Sequence, residues 1–465
     1  MPKFDPQLSD ATETLRQLQM GETDAETVVR SYLDRLEASQ PQLNAATQIF
    51  REQALAEARR PRPGPLSGLP ISVKETLGLA GQAITAGSLR MPPRPCADDP
   101  VIVQRVRAAG AIVIARSNVP ELAMTGESSN PRFGRTNNRL DQTRSAGGSS
   151  GGEGSLVGAG ASAAGLGSDL LGSIRIPAAF NGVVGFKPAS GAVDKTGTYP
   201  AIEGHLDTWL ALGPLTRSVR DARLLYNVIA RTPAPTPQPV KGLRLILPKD
   251  FPLTIRSAAI QTALVHARTV LEAAGMVVEE QHSFADVGKL FLNLLAYIGY
   301  DREKALLDDL VTAEGGQLWR PLELARQLVR QPTMDGGLLQ MLLTMPLVKA
   351  RTSKVPDLID AFEEARRKYH RLLGVDGVVL LPTLGLVAPK HGAFNRASLR
   401  PGINGLVTPL TFPNYLNLPA LAQPAWADVD HATGLPPSIM LAGAPGAEGA
   451  LLDVAAALEG GIGRN

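Results

Sequence analysis

Cysteine is nearly missing from this chain. Cys96 stands alone among 465 residues, which excludes an intrachain disulfide framework and is compatible with a reducing compartment. Long apolar runs are missing too, since no stretch reaches the roughly 18 uninterrupted apolar residues of a spanning helix. The nearest candidates, KLFLNLLAYIGY (289–300) and GLLQMLLTMPLV (337–348), are too short and read as core or lid helices. The opening MPKFDPQLSDATETLRQLQ has no apolar segment of the secretory kind, so a cytoplasmic protein is expected. Charge of one sign is not in excess: 47 basic residues face 44 acidic ones, a net charge of +3. No long basic block concentrates it, which argues against a nucleic-acid partner. Histidine is scarce, with six residues scattered along the chain, and with a single cysteine no metal cluster is expected; no cofactor is implied.

What is present is globular, with 44% hydrophobic and 20% charged residues, and 46 glycines and 37 prolines make it turn-rich. TLRQLQMGETDAETVVRSYLDRLEASQ places Val28, Val29, Tyr32, Leu33 and Leu36 on one helical face. Thr23 is the expected N-cap there, with Glu26 completing a capping box. After the connector RRPRPGPLSGLP, the run ISV reads as a strand that ends at Lys74. DDPVIVQRVRAAGAIVIARSNVPE reads as a helix, a stop at Gly110 and a buried strand. The alternation continues through GLRLILP, the helix 257–274, MVVEE and DGVVLLPT, while 285–371 reads as mostly helical. The pattern is that of an α/β protein whose sheet is covered on both faces.

The segment GGSSGG at 147–152 admits four readings. A flexible linker does not fit, because the following LVGAGASAAGLGSDLLGSIRIPAAFNGVVGFKP stays small and apolar, like a core segment. A phosphate cradle lacks its lysine and its preceding strand. A nucleophile elbow is spelled literally by Gly147, Ser149 and Gly151. It lacks the apolar strand in front and needs a partner among His205, His266, His282, His370, His391 and His431. The fourth reading is a serine activated by a buried, neutral lysine, with Lys74 at the end of GLPISVK as the candidate.

GLPISVKETLGLAGQAITAGS, GAIVIARSNVPELAM, GGSSGG, GSDLLGSIRIPAAFNGVVGFKP and GLPPSIMLAGAPGAEGALL together resemble the amidase signature family. SSNPRFGRTNN and GGSSGGEGSLVGAG look closest to its fatty-acid-amide-hydrolase-like branch, with aryl acylamidases and urethanases, and less like glutaminase subunits. The resemblance implies one domain over 1–465: N-terminal helices 1–60, a signature core 65–235, a helical insertion or lid 285–371, and C-terminal strands and helix 372–465. It implies a large, twisted, mixed β-sheet between helices. It also implies a catalytic set of Ser173 as nucleophile, Ser149 as proton relay after a cis peptide bond, and Lys74 as base. Backbone N–H groups of Leu170, Leu171, Gly172 and Ser173 would form the oxyanion hole, with Ser150, Asp169 and Arg175 bracing the loop. The chain departs from the family at Leu171 and Ala115, where glycine is usual, and at Glu75, where aspartate is usual.

By the same resemblance Met124, Thr125 and Gly126 line the substrate pocket. Apolar helices at 285–371 would favour hydrophobic or aryl amides and anilides, with carbamates and esters within reach of the same chemistry. The expected partner is such a small molecule, acted on by a monomer or homodimer. A glutaminase subunit of a glutamine-dependent amidotransferase is one alternative, and a histidine-dependent α/β-hydrolase using Ser149 is another. A binding member that keeps the fold without catalysis fits poorly with intact Lys74, Ser149 and Ser173.

Overall fold

A computed structural model of the chain describes residues 4–312, 318–329, 331–397 and 404–463. The other positions, at the two termini, in the helical segment 285–371 and in the segment 372–465, lie outside the described residues. Eleven strands form one sheet: β1 (Ala46–Ile49), β2 (Pro70–Lys74), β3 (Ile112–Ser117), β4 (Ala164–Asp169), β5 (Val184–Lys187), β6 (Ala211–Thr216), β7 (Arg244–Ile246), β8 (Val277–Glu279), β9 (Gly377–Pro382), β10 (Ala420–Pro424) and β11 (Ser438–Ala442). Their order across the sheet is β1-β3-β2-β4-β6-β5-β10-β11-β9-β7-β8. The trio β3, β2, β4 is parallel, as is β9, β7, β8, and the remaining pairs are antiparallel. The sheet is therefore mixed.

Both of its faces are covered. Along β9, Leu380 joins one core while Val379 and Leu381 join another, as a period-2 strand between two helical layers requires. The helices Ala25–Leu43, Val219–Ile229, Ala258–Ala273 and Glu448–Ile462 contribute to the first core. Val287–Thr312, Val355–Leu373 and Asn404–Tyr415 contribute to the second. Among the described residues, no helix is long and apolar enough to cross a membrane.

The apolar face read at Val28, Val29, Tyr32, Leu33 and Leu36 is wholly buried. Its cap is one residue later than expected. Asp24, not Thr23, is the N-cap, and its carboxylate accepts from Thr27 N–H at 2.8 Å. A carboxylate at a helix N-terminus satisfies the free N–H and opposes the helix dipole at once. Glu26, freed from the expected capping box, pairs with Arg30 at 2.7 Å.

The parallel neighbours β2 and β4 position the site. Lys74 is the last residue of β2 and Asp169 the last of β4, so both lie where chains leave the carboxyl ends of parallel strands, the usual place for chemistry in such sheets.

Candidate active site

Lys74 is fully buried. Its Nζ lies 2.7 Å from Ser149 Oγ and 2.8 Å from Ser168 Oγ. Burial pushes the amine down to about 7, against the pull of the Asp169 and Glu153 carboxylates. Near neutral pH an appreciable share of this lysine therefore carries a lone pair. A hydroxyl both accepts and donates, so protons can pass between Ser149 and the amine. Ser168 is a member of the site that the sequence does not announce. Its only signal there is a hydroxyl next to Asp169 in GLGSD.

The turn GGSSGG is built by close approach. Gly147 has φ +80°, and a Cβ on Gly152 would collide with the backbone nitrogen of Asn118. Neither position tolerates a side chain without backbone movement. The Gly148–Ser149 peptide bond is cis. Ser150 joins this turn to the next, donating its N–H to the Ser173 carbonyl at 3.0 Å and its hydroxyl to the Ser168 carbonyl at 3.4 Å. The segment then continues as the helix Gly151–Gly158, which is not the behaviour of a linker.

Ser173 is half-buried on the loop between β4 and the helix Arg175–Asn181. The loop is pinned by Asp169, whose Oδ1 accepts from Gly172 N–H at 2.6 Å and whose Oδ2 accepts from Ile174 N–H at 3.1 Å. Arg175 grips the same carboxylate with Nη2 and Nε, both at 3.0 Å. Both side chains have no exposure, so this is not a surface pair. Burial alone would raise Asp169, but the Arg175 guanidinium, with the Lys187 charge and the Asn414 amide, holds it well below the usual carboxylate range. Asn414 completes the set, donating to Asp169 Oδ1 at 2.9 Å and accepting from Arg175 Nη2 at 2.6 Å. Nothing in the local sequence marks Asn414, which arrives from a helix 245 residues later.

One expectation needs correcting here. The Gly172 N–H, assigned to the oxyanion hole, is committed to Asp169. A donor aimed at a buried carboxylate is not aimed at a developing oxyanion, so Leu170, Leu171 and Ser173 remain as the candidate donors.

Beside Ser173 opens a cavity of about 310 Å³. Met124, Thr125 and Gly126, expected there, all line it, together with Leu170 and Leu171. Of the apolar residues in the stretches 289–300 and 337–348, Phe291, Leu294, Leu295, Ile298 and Met341 also face it. The others do not: Tyr297 packs in the core with Trp209, while Leu338, Leu339, Leu342 and Met345 form a separate cluster. Leu292 is exposed. The wall also extends in a way the sequence does not signal, because the Phe394 ring closes on Gly126 and occupies the space a Cβ there would need. Glu127 fixes that ring's segment by accepting from Gly392, Phe394 and Asn395 N–H groups.

The six histidines lie elsewhere. His266 pairs with Asp428, His282 with Glu279, and His370 and His391 with the carbonyls of Leu416 and Gln142. His205 sits among Trp209, Tyr297 and Phe362, and His431 is exposed. None lines a cavity that Ser149 or Ser173 lines. Glu75, where the family resemblance has aspartate as the usual residue, is buried against Arg116 at 3.3 Å and accepts from Thr85. Among the described residues, no group of three or more His, Cys, Asp or Glu side chains is gathered to hold a metal ion.

A family profile described as amidase matches residues 27–452. The chain is 32% identical to a glutamyl-tRNA(Gln) amidotransferase subunit of Carboxydothermus hydrogenoformans, over 97% of its own length and 96% of the relative's. It is 31% identical to fatty-acid amide hydrolase 2-B of Danio rerio, over 84% and 80%. The crystal structure of an amidase superposes with a TM-score of 0.81 at 28% identity, covering 98% of this chain and 100% of that one. At 32% and 31%, identity places these two relatives alike.

Proposed function

Because the chain belongs to the amidase family and is an amide hydrolase of that family, we propose that it cleaves the C–N bond of hydrophobic or aryl amides by acyl transfer to Ser173. The observation that carries this reading is the buried Lys74 amine, 2.7 Å from Ser149 Oγ, in the turn whose next residue is bonded to the Ser173 carbonyl. Neutral Lys74 accepts the Ser149 proton as Ser149 takes that of Ser173. The Ser173 oxygen attacks the carbonyl carbon, and the oxyanion is met by N–H groups of Leu170, Leu171 and Ser173. The relay then reverses: the amine leaves with the proton as the C–N bond breaks, and water cleaves the acyl-enzyme by the same path.

The large cavity, walled by leucine, isoleucine, phenylalanine and methionine, supports an apolar group on the substrate. The helices Val287–Thr312 and Gly336–Val348 serve as its lid. Anilides, carbamates and esters are further substrates on this reading, because each offers a carbonyl carbon with a leaving group. A fluorophosphonate label followed by peptide mapping tests it. A tag on Ser173 is expected, and a tag on Ser149 would return the chain to the nucleophile-elbow reading.

A second reading is favoured by the likeness to the amidotransferase protein: the same serine would release ammonia from glutamine for a partner protein. The apolar walls suit free glutamine, with its charged α-ammonium and α-carboxylate, poorly. Glutaminase activity exceeding hydrolysis of N-ethylbenzamide would favour this second reading.

A further inference from the structure

Ser173 and Ser149 also line a second, smaller cavity of about 40 Å³, together with Ser168 and Tyr199. Among the described residues its one charged lining residue is Arg302, on the helix Val287–Thr312 and only 6% exposed. Arg302 Nε donates to Asp301 Oδ2 at 2.6 Å, and Asp301 itself does not line the cavity. Among the described residues, the space next to the serines is therefore lined by Arg302 but not by its counter-ion. A guanidinium has five N–H donors in a planar fork, and the Asp301 contact engages the one on Nε, so it does not spend the four on the terminal nitrogens.

A buried cation facing a small void calls for an anion of matching geometry, and a carboxylate meets such a fork with two parallel hydrogen bonds. The cavity is small, which suits a carboxylate on a short stem. The apolar part of a substrate has the larger cavity across Ser173. We infer that Arg302 anchors a carboxylate on the amine part of the substrate, one or two bonds from the scissile nitrogen. The substrate class is then N-acyl amino acids with an apolar acyl group and a glycine-sized amine part. This rests on Ser173 being the site of acyl transfer.

The test compares N-benzoylglycine with its neutral mate N-ethylbenzamide on the wild type, Arg302→Leu and Arg302→Lys. Loss of a hydrogen-bonded charge pair should lower kcat/KM for N-benzoylglycine about tenfold to a hundredfold in Arg302→Leu. N-ethylbenzamide should stay within about twofold, and Arg302→Lys should fall between for the charged substrate. Equal losses on both substrates, or no loss on N-benzoylglycine, overturn the inference, while cleavage of N-ethylbenzamide by the wild type leaves the amide-hydrolase reading standing. Should the wild type cleave neither, calorimetric titration of Ser173→Ala decides. N-benzoylglycine should bind more tightly than N-ethylbenzamide, and adding Arg302→Leu should abolish the difference; equal binding overturns the inference.

Discussion

Two lysines among the described residues are sealed inside this molecule, and they differ in their hydrogen-bond partners. Lys74 ends β2 and Lys187 ends β5, both without exposure. Burial pushes each amine down to about 7, with the Arg175 charge adding to the effect at Lys187. Lys74 Nζ faces two hydroxyls. Lys187 Nζ faces two carbonyl oxygens, Leu418 at 2.9 Å and Pro188 at 3.1 Å. A carbonyl only accepts, so Lys187 has no partner there from which to take a proton, and it serves to tie loops together. A shifted pKa reports burial. What a lysine can do is set by whether its partners exchange protons.

The strongest way to break this contrast is to remove each amine. Lys74→Ala should lower kcat/KM for an aryl amide by about 10²–10⁴-fold, the usual worth of a positioned base. Lys187→Met should leave kcat/KM within about tenfold but cost about 1–3 kcal/mol in denaturant unfolding, because two carbonyls lose their donor. Equal kinetic losses would erase the distinction. The pH profile sharpens it. A protonated Lys74 cannot accept the Ser149 proton, so kcat/KM should fall below a pH of about 7 and level off above it. That acid limb should persist in Lys187→Met and be absent from the residual rate of Lys74→Ala.

Smaller effects should come from the partners. Ser168→Ala removes one of the two hydroxyls on Lys74 and should cost roughly tenfold in kcat/KM, as for a single hydrogen bond to a catalytic group. The smallest effect is expected at Leu171→Gly, which enlarges the apolar cavity without touching a hydroxyl or an amine. For N-ethylbenzamide, kcat should move by less than about threefold, and KM should carry the change.

Lys74 is legible in the sequence because an apolar β-branched run delivers it inward, and a strand ending is a local event. GGSSGG is legible as something other than a linker because its neighbours are small and apolar. The α/β layering is legible because helix and strand periods differ. Asn414 is not, because its meeting with Asp169 depends on how a distant helix docks. The helical region reads as apolar, but its sequence does not decide which residues face the cavity. Leu292 and Leu294 differ by two positions, one exposed and the other buried against the cavity, and the stretch 290–300, apolar nearly all round, offers no polar face to separate them. The correction at Gly172 has a similar origin, since a backbone N–H has no sequence signature of its own.

The Asp169 carboxylate holds the Ser173 loop at Gly172 and Ile174, from the strand the loop has just left. Position 171 sits just before the span between those anchors, with its side chain in the apolar cavity. On the proposed mechanism, chemistry and selectivity are thereby separable in heredity: substitutions at 171 would retune which acids are accepted while the Ser173 loop keeps its anchors. On that mechanism a lineage carrying this loop could explore new substrates by single steps without first losing the reaction.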